Sequence, residues 1–322
     1  MQVFQCEVPA ECEGDRLDRF LASRSFLPTR SRTAALVRGG HVRVDGVLRK
    51  ASFKVYPGAR IDIQIPPEEP SEVEAEAIPL SVLHEDEALI VINKPPQMAS
   101  HPAPGSRRGT LVAALLYRWQ FEGSWPDPQR PGIVHRLDKD TTGVIAVAKT
   151  PQALHALARQ FAARQVEKRY LAVALGTPRT TRMEVDLPIG RDPFDRKRMQ
   201  ARLDQQRPAS TRFEVLRVLG SCGGATLIQA EPLTGRTHQI RVHLASLGHP
   251  IVGDQLYGGG HARPGTGGVA RQAIEAFPRQ ALHASRLSFR HPLDGRQVEF
   301  EAPMPSDMAD LIAAIGRPPD CG

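Results

Sequence analysis

Long apolar runs are missing from this sequence. No stretch of its 322 residues approaches the roughly 20 consecutive apolar residues of a membrane-spanning helix, so a membrane protein is not expected. Cysteine is scarce. Cys6, Cys12, Cys222 and Cys321 are scattered and form no CxxC pair, which excludes a disulfide framework and a cysteine zinc site. No GxxxxGK[ST] phosphate cradle occurs. The opening MQVFQCEVPAECEGDRL has neither the basic start nor the apolar core of a signal peptide, and a cytoplasmic protein is expected. What remains is ordinary globular composition, 41% hydrophobic and 24% charged, over a length that suits two domains better than one.

Charge is present but unevenly placed. The formal net charge is +7, yet residues 15–60 alone carry eleven Lys or Arg against three Asp. The rest of the chain is therefore close to neutral. A basic excess concentrated in one small unit is the electrostatic footprint of a polyanion partner.

Within that unit, DRLDRFLASRSFL places Leu17, Phe20 and Leu21 at helical spacing. SRTAALVR reads as a second helix, capped by Ser31 and ended by Gly39-Gly40. HVRVDG alternates and turns at Asp45-Gly46, and KVYPGARIDIQI alternates again through Ile61, Ile63 and Ile65. Two short helices followed by a small sheet, with arginines on the helices, resemble the RNA-binding domain of the ribosomal protein S-four type. That resemblance implies a docking module for structured RNA, with Arg16, Arg19, Arg30, Arg32, Arg38 and Arg43 as candidate RNA contacts. The module is placed at residues 1–65, with its core at about 15–65.

PPEEPSEVEAEAIP, residues 66–79, has four prolines and five glutamates and is expected to be an extended, unpacked interdomain linker. A second domain is expected over residues 80–322. VLHEDEALIVINKPP reads as strand, acidic turn, strand. Thr150-Pro151 is a helix-start signal, with Leu154, Leu157, Ala158 and Phe161 at helical spacing behind it. VEKRYLAVALG, TRFEVLRVL, GATLIQAEPL and RQVEFEAP read as strands. Thr237 is a candidate cap for a helix with Ile240, Leu244 and Leu247 on one face, stopped at Gly248-His249-Pro250. GGGHARPGTGG, residues 258–268, reads as a mobile loop. Strands outnumber helices, which predicts an α+β domain with a mixed, largely antiparallel sheet flanked by helices, behind a small N-terminal α/β unit.

One stretch concentrates chemistry. In PGIVHRLDKDTTGV, residues 131–144, five charged or titratable side chains are gripped between two apolar runs. A loop held on rigid strands is where scaffolds place reactive groups. The spacing of Asp138, Asp140 and Thr142 admits a DxDxT phosphoryl-transfer loop, but His135-Arg136-Leu137 separates the first aspartate from the apolar run. Asp138 either pairs with an arginine and merely closes the loop, or is a nucleophile or base held ionised by a cation.

GIVHRLDKDTTG, KRYLAV and LTGRTHQIRVHLASLGHPIVGDQLYGG together resemble the pseudouridine synthases of the RluA class. NKPPQMASHP matches the opening strand and loop of that class, and RQALHASRLSFRHPLDG its C-terminal segment. The resemblance runs from about residue 80 to 306 and is closest to the RluD branch, which acts on large-subunit ribosomal RNA. It implies an enzyme that detaches uracil N1 from ribose, turns the base and rejoins it through C5. It implies no cofactor and no metal, because uracil itself accepts electrons. Asp138 matches the family's catalytic aspartate, attacking either uracil C6 or ribose C1′. Arg241 matches the arginine that pairs with it, opposing the cost of burying a carboxylate. Tyr170 matches the tyrosine that stacks on the base and receives the C5 proton, a task for which a phenol with a pKa of about 10 is a poor resting base.

Arg136 suits the gap left by an everted uridine, since its flat cation stacks and binds phosphate. His135 is placed beside it as an RNA-facing residue that also orders the loop. His238 and His243 are wrongly spaced for a metal site on one helix face and read as structural or RNA-contacting. The basic run RDPFDRKRMQAR with Phe194 favours RNA contact over a solvated loop. The resemblance implies an RNA partner and, as drawn, a monomer. Transfer RNA, another ribosomal site, or a non-catalytic assembly role on the same scaffold are the competing readings.

Overall fold

The structure is a computed structural model that describes residues 2–23, 33, 36–65, 73–101, 108–119, 131–195, 197–202, 207–220 and 224–316. The chain divides into two compact units, Met1–Glu74 with Phe121–Pro131, and Ala75–Gln120 with Gly132–Gly322.

The first unit is a four-stranded antiparallel sheet in the order β1-β4-β2-β3, from β1 (Gln2–Glu7), β2 (Val42–Val44), β3 (Val47–Leu48) and β4 (Arg60–Ile65). Helix α1 (Leu17–Ala22) buries Leu17, Phe20 and Leu21 against Ile61, Ile63, Val42 and Val44. Asp45 and Gly46 turn β2 into β3 with positive φ at both residues, as a tight right-twisted hairpin requires. β1 was not anticipated, although Phe4 and Cys6 alternate toward the same core. Of the expected second helix, residues 36–38 are helical and Gly40 follows at φ +77°. Its proposed cap, Ser31, lies outside the described residues.

The second unit is built on a nine-stranded mixed sheet. Its path is β5 (Ser81–Glu85), β6 (Leu89–Lys94), β7 (Thr142–Ala148), β14 (Leu282–Arg290), β8 (Glu167–Leu175), β13 (Ala225–Pro232), β12 (Ser210–Leu219) and β9 (Arg182–Asp186). β15 (Gln297–Glu301) pairs with β14 beside β7. Every pairing is antiparallel except β7 with β14. β7 is buried along its whole length, as its unbroken apolar run requires of a central strand. A separate hairpin, β10 (Ile189–Arg191) with β11 (Met199–Ala201), stands off the sheet.

Helices α2 (Leu111–Trp119), α3 (Pro151–Ala162), α4 (Gln239–Ser246), α5 (Gly268–Ala276) and α6 (Ser306–Gly316) cover this sheet. Thr150 caps α3 by accepting the Ala153 N–H at 3.2 Å. The buried face of α3 uses Ala153 and Leu157, whereas Ala158, expected there, is exposed. Among the described residues no helix is long and apolar enough to cross a membrane.

Two expectations need correction. The end of the supposed linker is not loose: Glu76 donates its N–H to Ala113 O and its carboxylate accepts the Gly109 N–H, both at 3.0 Å. The glycines at 258–260 are not a mobile tract either. A Cβ on Gly259 would sit 1.6 Å from Ile251 O, and Gly253 donates to Gly259 O at 2.8 Å. Gly259 is small because the backbone is crowded there, whereas Gly258 turns the chain at φ +92°.

Candidate active site

The charged loop enters the site pinned along its main chain. Ser100 Oγ bonds both Leu137 O and Leu137 N, at 2.9 and 3.2 Å. Lys94, fully buried at the end of β6, donates to Lys139 O at 2.9 Å and to Pro95 O and Met98 O at 2.8 Å. Burial pulls the Lys94 ammonium down to about 7, with the Asp140 and Asp138 carboxylates opposing. Three carbonyl acceptors use all three ammonium protons, and a neutral amine supplies only two. Arg279 donates to Asp140 O while its other edge grips Asp307 at 2.8 Å through both carboxylate oxygens. Thr141 N closes a turn onto Asp138 O, and Thr141 Oγ1 accepts from Gln280.

The Thr-Thr-Gly run has a geometric reason. Thr142 Oγ1 lies 2.9 Å from His283 Nδ1, and His283 Nε2 lies 3.1 Å from Ala302 O. Since a carbonyl only accepts, Nε2 carries the proton and Thr142 donates to Nδ1. Gly143 has φ +111°, and a Cβ there would meet Ala284 O at 2.1 Å. Only glycine lets β7 come this close to its parallel neighbour.

Asp138 is thereby aimed at α4. Its Oδ2 accepts from Arg241 Nη1 at 3.0 Å, with the side chains 17% and 8% exposed. Arg241 is already committed on its other side: Nε and Nη2 reach the two oxygens of Asp254 at 2.7 and 2.9 Å. Burial alone would lower the guanidinium; Asp254 and Asp138 more than reverse this and hold it above its ordinary value. Asp254 is 1% exposed and also accepts the Leu256 and Tyr257 N–H groups, which fixes its loop. The Tyr257 ring lies under Arg241 at 5.1 Å.

His238 completes the cluster. Its Nε2 is 3.9 Å from Asp138 Oδ2 and its Nδ1 is 2.8 Å from Tyr257 Oη. Burial lowers the imidazole, with Asp138 opposing, so it is held neutral. His238, not Thr237, occupies the cap position of α4, in the left-handed region at φ 56°. The Gln239 side chain serves the entry instead, accepting from Thr234 Oγ1 and the Arg236 N–H and donating to Ser210 O and Thr211 Oγ1. Leu247, expected on the buried face, is 38% exposed.

Tyr170 stands on β8, partly buried and within electrostatic reach of Asp138. Burial, then the Asp138 charge, pushes its phenol well above the ordinary range. Arg136 is exposed beside this cluster, close enough to bear on His238. His135, in contrast, turns inward. Its Nε2 accepts the Ala146 N–H at 3.0 Å and its ring stacks on Phe161 at 4.8 Å, so it braces the loop instead of facing RNA. His243 is likewise internal, between Thr211 Oγ1 and Leu187 O at 2.9 Å each. Among the described residues no cluster of His, Cys, Asp or Glu is suited to a metal ion.

In the N-terminal unit, Arg19, Arg38 and Arg43 are exposed, and Arg43 donates to Gly46 O. Arg16 lies along buried Asp18, at 3.0 and 3.1 Å. Arg30 and Arg32 fall outside the described residues. Asp254 went unnoticed in the sequence; a carboxylate between Gly253 and Leu256 in a glycine-rich turn was its one visible trace.

Residues 88–246 match the RNA pseudouridylate synthase family and residues 15–61 match the S4 domain. The chain is 40% identical over 307 residues to an RNA pseudouridine synthase of Bacillus subtilis, covering 95% of this chain and 96% of that one. The chain belongs to the RNA pseudouridine synthases. Another member, ribosomal large subunit pseudouridine synthase D of Nitrosomonas europaea, is 43% identical over 313 residues, 97% of this chain and 88% of that one. Among solved structures, human RNA pseudouridylate synthase domain containing 1 aligns with a TM-score of 0.54 at 27% identity, over 80% of this chain and all of that one. The mixed sheet and its flanking helices are thus the pseudouridine synthase fold, with an S4 domain in front.

Proposed function

We propose that this RNA pseudouridine synthase isomerises uridines of large-subunit ribosomal RNA in the cytoplasm, with Asp138 as the nucleophile on an everted uridine. The ribosomal target is suggested by the relative named for it. The observation that carries the mechanism is the shared guanidinium. Arg241 is gripped on two edges by Asp254 and spends one nitrogen on Asp138 Oδ2. Asp138 is held in place without being fully neutralised, and Oδ1, which no described side chain bonds, is the oxygen left to react.

The steps conserve every atom. Asp138 Oδ1 bonds to ribose C1′ or uracil C6, the N1–C1′ bond breaks, the base turns, a C5–C1′ bond forms, the bond to Asp138 breaks and restores the carboxylate, the C5 proton leaves and N1 gains one. Eversion of the uridine costs a few kcal/mol, and exposed Arg136 fills the stack behind it. Tyr170 supplies a flat face to the base. Its phenol rests protonated, so it accepts the C5 proton only if it passes its own proton on in the same step. The S4 unit adds affinity through exposed Arg19, Arg38 and Arg43.

The test is Asp138→Ala on unmodified ribosomal RNA. Pseudouridine formation is expected to vanish while RNA affinity stays within about two-fold. Product made at the wild-type rate by this variant would end the reading. Mapping pseudouridines in total RNA with and without the gene fixes the target, and sites lost only from transfer RNA would overturn the ribosomal part.

A further inference from the structure

The β10–β11 hairpin carries an unusual tip. Phe194 is 97% exposed, and among the described residues no other large apolar side chain is so bare. A bare phenylalanine on a floppy loop would mean little, but this one is displayed on a built turn. Asp192 Oδ1 accepts the Phe194 and Asp195 N–H groups at 2.8 and 3.2 Å, and Asp195 Oδ1 accepts the Lys197 N–H at 2.9 Å. Asp192 N and Arg198 O close the tip at 3.1 Å. Both acids are thus turned onto the backbone, while Arg191, Lys197 and Arg198 face solvent.

The root of the hairpin is fixed to the catalytic cluster. Ile189 is buried with Val242 of α4 and Tyr257, and Met199 and Ala201 pack beside them. Met199 N donates to Tyr257 Oη at 2.9 Å, and the same oxygen bonds His238, whose other nitrogen is 3.9 Å from Asp138. Arg198 lies over the Tyr257 ring at 5.8 Å, so one aromatic ring contacts both the arm and Arg241. Phe194 sits three residues beyond the last paired row, Arg191 with Met199.

We infer that this hairpin is a substrate-reading arm in which Phe194 stacks on an unpaired base a few nucleotides from the target uridine. The inference rests on the proposed action on RNA and names the part of the substrate this chain grips. A flat apolar ring flanked by cations is suited to a single-stranded base and its phosphate, since every base offers a π face. The fixed root relates that base to Asp138 by a constant offset.

The experiment uses the full chain and an unmodified, protein-free large-subunit ribosomal RNA transcript. Phe194→Ala is expected to weaken RNA affinity about ten-fold, the order of one lost base–aromatic stack. KM should rise with it and kcat should hold. Melting temperature and the salt slope of binding should not move, because Phe194 neither packs nor carries charge. Phe194→Trp should restore affinity, and its added fluorescence, measured against wild type, should be quenched by the transcript. Wild-type affinity in Phe194→Ala, or Phe194→Trp fluorescence that responds to a second copy of the chain or to ribosomal protein but not to RNA, would overturn the arm. The binding readouts decide this whether or not pseudouridine forms, so failure of the ribosomal assignment would be seen separately as absent product from wild type.

Discussion

Replacing Asp254 by asparagine isolates what the shared guanidinium does. The amide conserves volume, and its Oδ1 can keep the Leu256 and Tyr257 N–H groups and Arg241 Nη2. What is lost is the 2.7 Å bond from Arg241 Nε, where an amide NH₂ now faces a donor. A hydrogen bond to a charged group is worth about 1.5–3 kcal/mol. Arg241 keeps Asp138 as a partner, so the larger penalty for an orphaned buried charge does not apply in full. A loss of about 2 kcal/mol corresponds to a melting point lower by roughly 4–8 °C for a unit of this size. The rate should fall further than stability suggests. Asp138 is then the one charged partner Arg241 keeps here, and Arg241, held at residue 254 by one bond instead of two, can shift with it; displacements of about 1 Å at a reacting group cost up to about 100-fold. Thermal unfolding, RNA affinity and single-turnover pseudouridine formation on one sample test this. A variant with wild-type melting point and wild-type rate, or one that loses RNA affinity but reacts normally once bound, would refute the reasoning.

Tyr170→Phe should bind RNA like wild type and lose product. Because the Tyr170 phenol is raised, its ionised fraction is negligible near neutrality and the wild-type rate should not climb between about pH 7 and 9. A rate that climbs ten-fold per pH unit would identify a free phenolate as the base and contradict a protonated resting phenol. Gly143→Ala should cost more than about 3 kcal/mol or prevent folding, because the Cβ meets the Ala284 backbone of β14 at a positive φ; soluble yield and thermal melting report it. Gly235→Ala, which meets nothing within 4 Å, should be neutral in the same assays.

Periodicity carried most of the fold. The apolar run Val144–Ala148 announced a strand, and Thr150-Pro151 announced α3, because these are local signals with local causes. The entry to α4 was misread because Gln239, an interior polar residue, replaces the expected threonine cap through partners more than 25 residues away. β1 was passed over because six residues of alternation are weak until β4 stands opposite. In the site, Asp138, Tyr170 and Arg241 were legible through family resemblance, not through spacing. Asp254 was not legible, since a lone carboxylate acquires meaning only from the guanidinium it faces. His135 looked available beside Arg136, yet its ring is consumed by a backbone N–H and by Phe161.

The place of β14 has a consequence in time. It lies between β7 and β8, although it follows both by more than a hundred residues, and the segment around its start supplies Arg279, Gln280 and His283 to the loop of Asp138. A growing polypeptide that has already left the ribosome through Arg241 still lacks the wedge that joins the two halves of its sheet. Such non-local pairing is slow to form. The loop that carries Asp138 is therefore completed late, and a chain that stops short of β14 lacks three of the side chains that hold it.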